Sequence, residues 1–416
     1  MRQGESGEMA GTNAACRKCP ETYVAAVGDA NDPATWSGIP YHFLSAGRKY
    51  GLLDDGLNLA VNGVRWTCRR GLWNVLHVLG GRKPGGYQYQ ACFLERLYSP
   101  MRQKLPHNAV INCFQMYPPS VVRDDRVEKW FYIDMTLQQL FECYGANIDP
   151  RTRGAIIARE RDGYRSAAGV ITHSRWAADS VMCDYDIPGD RVHAVVPGAN
   201  IDDGAYSAWE SSELLRARAR DERELKLVFV GRCWKRKGLD RLLDAFRLAR
   251  SDRADITLRV IGLPRESAPE AYRGIAGVQW FGLVDKSTES AKFLRSVAEC
   301  DVGCLLSRSE AGGISLREFH ALGLATLGPD VGGAPEHMIP GASIAIPVSA
   351  PPKEIAEAII GLHRNRSKLE RMRATAWQGR HTALWDASVE RILGFWPHAI
   401  DRYRSDPQTT QDEAAC

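Results

Sequence analysis

Short, nearly continuous apolar runs alternate with amphipathic helical patterns along most of this chain. Such runs are typical of strands that are buried on both faces of a sheet. Strands that alternate with helices predict parallel, doubly wound sheets. The runs are TYVAAVGDA, LNLAVNG (57–63), AVINCFQMY, WFYIDMT, GVITHS and VHAVVPG in the first half, and LKLVFVG, ITLRVIG, VQWFGLV, DVGCLLS, LATLGPD and ASIAIPV in the second.

The alternation is interrupted once, where a polar, turn-rich stretch (200–212) precedes a charged helical run. A chain of 416 residues has room for two domains. We therefore predict an α/β protein with two Rossmann-like, doubly wound domains, over residues 21–200 and 201–385. A terminal amphipathic helix is predicted over 386–405. The two ends of the chain, 1–20 and 406–416, are polar and are predicted to be flexible tails.

Composition excludes several classes of protein. Hydrophobic residues make up 44% and charged residues 25%, which are globular values. No stretch approaches 18 consecutive apolar residues, so no membrane-spanning helix is predicted. The first ten residues lack an apolar core, and the eleven cysteines are scattered, so a cytoplasmic protein with reduced thiols is expected. The net charge of +4 is too small to indicate a nucleic-acid partner.

The segment 65–106 is an exception to this mild charge. It holds eight basic side chains and one acidic one, so the rest of the chain is net negative. Tryptophan, tyrosine and leucine residues are interleaved with the charges. Three interpretations stay open: peripheral contact with an anionic membrane, a grip on an anionic acceptor, or a helical hairpin with solvated arginines.

The densest cluster of chemically useful residues follows the run DVGCLLS. Glu310 stands in a short loop, Gly312 and Gly313 allow close backbone approach, and a helix is predicted to start near Ile314. Glu318 lies just over one turn into that helix. Free amides at a helix N-terminus bind anions, and open α/β sheets bind ligands at the carboxyl ends of their strands.

A second loop, residues 231–238, also connects a strand to a helix. Its sequence is Gly-Arg-Cys-Trp-Lys-Arg-Lys-Gly. Arg232 and Lys237 are predicted to converge on a diphosphate, because Arg and Lys are its usual ligands. Lys235 and Arg236 are expected to be solvated.

A third glycine loop, Gly332-Gly333-Ala-Pro335-Glu336, follows the next strand. The three motifs, in their order along the chain, resemble those of the retaining glycosyltransferases of family 4. The resemblance is strong over 192–385 and weaker over 22–190. It implies the GT-B fold, in which two Rossmann-like domains face a cleft and a terminal helix packs back on the first domain. The motifs are Gly231-Arg232-x4-Lys237-Gly238, Glu310-x7-Glu318 and the third loop itself.

The resemblance also implies residue roles around a nucleotide sugar of the UDP or GDP type. Arg232 and Lys237 would hold the diphosphate, Glu310 would contact the donor sugar, and Glu318 would bind the ribose hydroxyls. The remaining donor contacts would come from backbone and loop positions. These are Gly312, Gly313 and Ile314 in the cradle, Ser37 and Gly38 across the cleft, and Leu283 beside the base.

The first domain departs from the family pattern at one position. Many relatives carry a histidine near the donor sugar, where this chain reads Tyr-Ile-Asp134. Asp134 is one candidate for that place, as an acceptor of hydroxyl hydrogen bonds and a member of the catalytic set with Glu310, Arg232 and Lys237. His173 is the other candidate.

The function that the resemblance implies is metal-independent transfer of a hexosyl group, with retention, in polysaccharide biosynthesis. The acceptor would be a glycan, a lipid-linked molecule or a small molecule. No cofactor beyond the nucleotide sugar is expected, and the protein would be cytoplasmic, in one interpretation at the inner membrane face. Two alternatives remain: a phosphorylase or sugar-phosphate synthase, or a non-catalytic nucleotide-sugar-binding component of a glycan-assembly system.

Overall fold

The protein is described by a computed structural model. It describes residues 20–61, 63–145, 148–215, 224–252 and 255–398. The predicted tails, apart from Pro20, and the last part of the predicted terminal helix lie outside these residues.

The first sheet has six parallel strands in the order β2-β1-β3-β4-β5-β6. Every residue of the central strands β1, β3 and β5 is buried, as their apolar sequences require. The strands are β1 (Thr22–Ala25), β2 (Asp55–Gly56), β3 (Ala109–Asn112), β4 (Glu128–Ile133), β5 (Gly169–Thr172) and β6 (Val192–Ala194). The helices are α1 (Ile39–Lys49), α2 (Val64–Leu79), α3 (Ala91–Tyr98), α4 (Pro119–Val122), α5 (Leu137–Cys143), α6 (Pro150–Ser166) and α7 (Arg175–Cys183).

The second sheet also has six parallel strands, in the order β12-β11-β10-β7-β8-β9. The strands are β7 (Leu225–Val230), β8 (Ile256–Ile261), β9 (Val278–Gly282), β10 (Val302–Cys304), β11 (Ala325–Asp330) and β12 (Ser343–Pro347). The helices are α8 (Asp203–Leu215), α9 (Leu239–Asp252), α10 (Glu270–Arg273), α11 (Ser290–Ala298), α12 (Ile314–Ala321), α13 (Pro352–Arg364) and α14 (Arg366–Gly379).

Each sheet reverses its strand order at one point, between β1 and β3 in the first and between β7 and β10 in the second. The predicted fold class, α/β with two doubly wound domains, is confirmed. Ligands of open α/β sheets bind in the crevice beside such a reversal. The loops that follow β7 and β10 are those that carry the motifs 231–238 and 310–318.

The chain passes between the two domains twice, and the two passages lie side by side. Ala199 donates its backbone N–H to the carbonyl of Ala383 at 2.7 Å. Helix α15 (Trp385–Leu393) then packs against α1, and Trp385 contacts the ring of Phe43. Lys49 and Asp386 form an ion pair there. The last helix is therefore part of the core of the first domain.

Two predicted elements are wrong in their bounds. The described residues of the run 57–63 do not form a strand, because β2 ends at Gly56 and Asn58 makes only an isolated bridge to Asp29. Leu57 and Leu59 are apolar because they are buried in that loop, where their amides bond to Val24 and Gly28. The stretch 200–212 is mostly helical, since Asp202 caps the start of α8 by accepting the Ala205 N–H at 2.8 Å.

In the segment 65–106, α2 and α3 account for most of the chain and are joined by a glycine-rich turn. No helix in the described ranges is both long and apolar enough to cross a membrane.

Candidate functional site

The loops after β7 and β10 touch because their strands are neighbours in the sheet. Gly238 ends the first loop with a φ of +72°, a left-handed conformation that favours glycine. A Cβ at this position would lie 1.9 Å from the carbonyl oxygen of Leu306. Only glycine therefore lets the two loops approach so closely.

Glu310 is the centre of a buried charge cluster between these loops. Its Oε2 accepts hydrogen bonds from Lys237 Nζ at 2.6 Å and from Ser307 Oγ at 2.9 Å, and Arg236 lies 3.5 Å away. Burial alone would raise the pKa of this carboxyl, but Lys237 and Arg236 outweigh it and lower the pKa. Glu310 is thus held ionised beside two cations.

Arg236 is half-buried and engaged at the domain contact, whereas the sequence predicted a solvated side chain. Its guanidinium bonds to the Ser309 carbonyl at 3.1 Å and lies over the ring of Tyr144 in the first domain. Ser309 in turn donates its hydroxyl to the carbonyl of Cys143 at 2.7 Å. The Glu310 cluster therefore lies at the contact between the two domains.

Glu318 has a partner of its own. Its side chain is 1% exposed and is paired with Lys286, from the loop after β9. Burial raises the pKa of Glu318, and the charges of Lys286 and Lys237 oppose that effect. Across the cleft, burial and then Lys286 lower the pKa of His42 on α1 to about 4. Lys286 thus faces both domains.

The start of α12 is shaped by two glycines. Gly313 precedes the helix with a φ of +103° and supplies no side-chain cap to the first amides, beginning at Ile314. A Cβ on Gly312 would lie 2.5 Å from the ring of His337. The first turn of α12 is therefore an uncapped helix N-terminus, the kind of site that favours an anion.

The first domain contributes a turn of unusual backbone conformation after β1. Trp36, Ser37 and Gly38 have φ angles of 42°, 60° and 86°. For the two residues with side chains such a conformation is costly and is typical of functional sites. Asn200, between the domains, donates its amide to the Ser37 carbonyl at 2.7 Å.

Asp134 directly follows β4, and the charges of the Glu310 cluster influence its pKa. Burial raises its pKa to about 7, the charge of Glu310 adds to that effect, and Arg236 opposes it. The accessible surface of Asp134 is intermediate rather than fully lost. The structure thus brings Asp134, Glu310, Arg236 and Lys237 into one electrostatic group.

His173 follows β5 and is 2% exposed. Its ring lies 4.4 Å from that of Tyr132 and 5.6 Å from that of Trp36, between centroids. Burial lowers its pKa to about 3, so the ring is neutral at neutral pH. Its Nε2 is buried and has no hydrogen-bond partner among the described residues, which leaves its hydrogen-bonding capacity unused.

Arg232 and Leu283 lie apart from the Glu310 cluster. Arg232 is exposed, and its side chain forms no hydrogen bond or ion pair with any residue that the structure describes. Its charge adds to two hydrogen bonds from Ser287 in lowering the pKa of Asp285. Leu283 is 59% exposed, in the same loop as Asp285. Arg232 therefore faces the loop after β9, whereas Lys237 faces Glu310.

The described part of the chain contains no group of three or more His, Cys, Asp or Glu side chains that could hold a metal ion. Metal independence stays a prediction.

Comparisons with known proteins agree with this architecture. Residues 211–378, which make up most of the second domain, match the sequence model of the family "Glycosyl transferases group 1". WaaG, a glycosyltransferase involved in lipopolysaccharide biosynthesis, superposes with a TM-score of 0.58 at 14% identity, over 90% of this chain and 100% of that one. Anabaena Alr3699/HepE, solved with UDP and glucose, gives a TM-score of 0.58 at 12% identity, over 90% and 98%. The chain has the GT-B glycosyltransferase fold.

A curated relative is D-inositol 3-phosphate glycosyltransferase 1 of Catenulispora acidiphila, 24% identical over 272 residues. That alignment covers 61% of this chain and 62% of the relative. The chain spans between 46% and 62% of the length of the curated relatives that it matches.

Within this GT-B fold, the two domains are joined near the third glycine loop. Both oxygens of Glu336 accept N–H groups from the first turn of α7, those of Arg175 at 2.6 Å and Trp176 at 3.1 Å. A Cβ on Gly333 would lie 2.5 Å from the hydroxyl oxygen of Ser174. The third loop therefore makes domain contacts rather than only lining the cleft.

Sequence reasoning missed four residues of the GT-B cleft: Arg236 as a partner of Glu310, together with Lys286, Tyr144 and His42. Only Arg236 carried a usable signal, as a third cation beside Arg232 and Lys237.

Proposed function

We propose that this protein is a retaining hexosyltransferase that uses a nucleoside-diphosphate sugar. One observation carries the proposal: Lys237, Arg236 and Glu310 form a buried cluster at the reversal point of the second sheet, beside the uncapped start of α12. Transfer of a glycosyl group leaves a nucleoside diphosphate with added negative charge. Fixed cations and helix amides stabilise such charge as it develops.

The donor would bind to the charged side chains that now form ion pairs with each other. Lys237 and Arg232, on either side of the loop 231–238, would bind the diphosphate, and the first amides of α12 would bind phosphate or sugar oxygens. Glu310, freed in part from Lys237, would accept hydrogen bonds from the sugar hydroxyls. Glu318 would accept those of the ribose, with Lys286 partly offsetting the effect of burial on its carboxyl.

The reaction would proceed by attack on the same face from which the diphosphate leaves. The acceptor oxygen would bond to the anomeric carbon as the bond to the phosphate oxygen breaks, and the acceptor proton would pass to the departing phosphate. Asp134 would orient a sugar or acceptor hydroxyl, and His173 would do so through its free Nε2. We assign no protein nucleophile.

UDP is the preferred nucleotide, since the Anabaena neighbour was solved with UDP and glucose; GDP is the other possibility. The acceptor would bind mainly to the first domain. A phosphorylated cyclitol belongs in an acceptor screen beside glycans and lipid-linked molecules, because the curated relatives are named D-inositol 3-phosphate glycosyltransferases. Catalysis would be metal-independent and cytoplasmic.

The donor site can be tested by thermal shift with UDP, GDP and ADP, with and without magnesium. A ligand at about 100 times its Kd adds roughly 2.7 kcal/mol to the free energy of unfolding. We expect one nucleotide to stabilise the protein without metal, and Lys237→Gln to lose most of that response. The control is Lys235→Gln, which changes an exposed lysine of the same loop. An equal response from all three proteins would contradict the assignment.

Turnover separates an enzyme from a binding protein. With the stabilising nucleotide as its UDP- or GDP-sugar, the wild type should release nucleotide and form a product that keeps the anomeric configuration. Glu310→Gln should retain nucleotide binding and lose turnover. Binding without turnover by the wild type would favour the non-catalytic alternative, and turnover only with phosphate or a sugar phosphate would favour a phosphorylase or sugar-phosphate synthase.

A further inference from the structure

Helix α2 exposes an apolar stripe. Of the large apolar side chains that are exposed in the described part of the chain, half lie on this one helix. Leu72, Val75, Leu76 and Leu79 recur at the spacing of one helix face, and each is more than half exposed. Soluble surfaces rarely carry so continuous an apolar patch without a partner.

The opposite face of α2 is anchored to the first domain. Trp66 packs edge-on against Phe93, with ring centroids 5.1 Å apart. Trp73 donates its indole N–H to the carbonyl of Gly85 at 3.0 Å, and its ring lies against that of His77. The helix therefore has a fixed orientation, and the leucine stripe is the face that it turns outward.

Positive charge surrounds the stripe. No Asp or Glu occurs between residues 56 and 94, whereas this segment holds four arginines and a lysine. Arg65 and Arg69, one turn apart on α2, line an open groove of about 500 Å³ with Arg96 of α3. None of these three arginines forms an ion pair with another described residue.

We propose that α2 is a docking surface for an anionic phospholipid bilayer. The stripe would enter the boundary between headgroups and acyl chains, and the arginines of the groove would bind headgroup phosphates. With 16 residues and a length of about 24 Å, α2 would lie in the membrane plane rather than cross it. A protein partner with an acidic surface would account for the arginines but not for the exposed leucine stripe.

The first test is flotation with vesicles of phosphatidylcholine alone and of phosphatidylcholine with 30% phosphatidylglycerol, a composition of roughly one anionic lipid in three. The wild type should float only with the anionic vesicles. Leu72→Gln/Leu76→Gln, which changes no charge, should abolish flotation. The control Leu248→Gln alters an exposed leucine of the second domain and should float like the wild type.

The second test concerns the charges. Arg65→Gln/Arg69→Gln should lower the vesicle partition coefficient about 25-fold, since each basic residue near an anionic surface contributes roughly fivefold. Arg295→Gln/Arg371→Gln, two exposed arginines of the second domain, is the matched control. Raising the salt concentration should weaken binding of the wild type in the same direction.

Three results would overturn the proposal: equal binding to both vesicle types, no binding to either, or a dimer in solution that dissociates in the leucine variant. The last result would make a second copy of the chain the occupant of α2. Nucleotide-induced thermal shifts of all variants should match that of the wild type. This readout shows that the variants are folded, and it keeps failure of membrane docking distinct from failure of the proposed catalysis.

Discussion

At the scale of single residues, the carboxyl groups of the cleft have different protonation tendencies because they have different partners. Glu310 and Glu318 are eight residues apart, and both are buried. Two cations lower the pKa of Glu310, whereas at Glu318 burial raises the pKa and the charges of Lys286 and Lys237 only partly offset it. No cation among the described residues is bonded to Asp134, and burial raises its pKa to about 7.

Asp134 should make the stability of the first domain depend on pH. Because its folded pKa of about 7 exceeds the unfolded value near 3.8, it stabilises the fold at low pH and loses that contribution as the pH rises toward 7. Asp134→Asn removes this dependence. The melting temperature of the variant, relative to the wild type, should be higher at pH 8 than at pH 5 by roughly 4 °C, corresponding to about 2 kcal/mol.

Differential scanning calorimetry at the two pH values measures this difference. Asp125→Asn, at an exposed position of the same domain, is the control and should show no such change between pH 5 and pH 8. No difference between the two pH values would mean that Asp134 is already ionised in the folded protein at pH 5.

Individual site residues were predictable where a motif held them together in sequence. Glu310 and Lys237 fall in two short loops with glycines at fixed places, and Glu318 lies just over one turn into the helix that follows Glu310. Lys286 was not predictable, because it lies 32 residues from Glu318 and meets it only through the order of the strands. Tyr144 belongs to the other domain, and no local pattern links it to Arg236.

At the scale of elements, close packing around glycines determines the shape of the loops after β7 and β10. A Cβ on Gly312 would collide with His337, which is fully buried and cannot move aside. Gly312→Ala should therefore shift the loop that carries Glu310. We expect at least a tenfold loss of nucleotide affinity and a lower melting temperature, because overpacking costs about 1–3 kcal/mol.

The matched control is Gly361→Ala, in the middle of α13, where a Cβ would meet nothing within 4 Å. This change should raise stability by about 0.5–1 kcal/mol, as alanine favours helix over glycine. Isothermal titration with the nucleotide and thermal melts of both variants test the pair. Wild-type affinity in Gly312→Ala would show that the loop tolerates the extra methyl group.

Elements were predictable where apolar runs were buried on both faces, as in β3, β5 and β7. The errors occurred where the burial of a residue does not follow from the secondary structure it belongs to. Leu57 and Leu59 are buried in a loop, and their alternating apolar pattern therefore predicted a strand. Helix α8 begins with polar residues and an aspartate cap, and that composition predicted a turn.

At the scale of the whole molecule, Glu336 joins the two domains by binding backbone N–H groups of α7. Glu336→Ala should release the amides of Arg175 and Trp176, since a hydrogen bond to a charged group contributes about 1.5–3 kcal/mol. Hydrogen exchange of the first turn of α7 should accelerate about tenfold or more. Mass spectrometry of peptides that cover this turn measures the effect.

Glu357→Ala, on an exposed face of α13, is the control and should leave exchange in α7 unchanged. Unchanged exchange in Glu336→Ala would mean that other contacts, such as that of Gly333 with Ser174, hold the domains together at this point.

The position of α15 has a consequence for how the protein is made. Trp385, Val389, Ile392 and Trp396 belong to the same apolar cluster as Phe43 of α1. While the ribosome is still translating the second domain, α15 is missing from the first domain, and the apolar surface that α15 will cover is exposed. The domain that is synthesised first can therefore reach its final form only after α15 has also been synthesised.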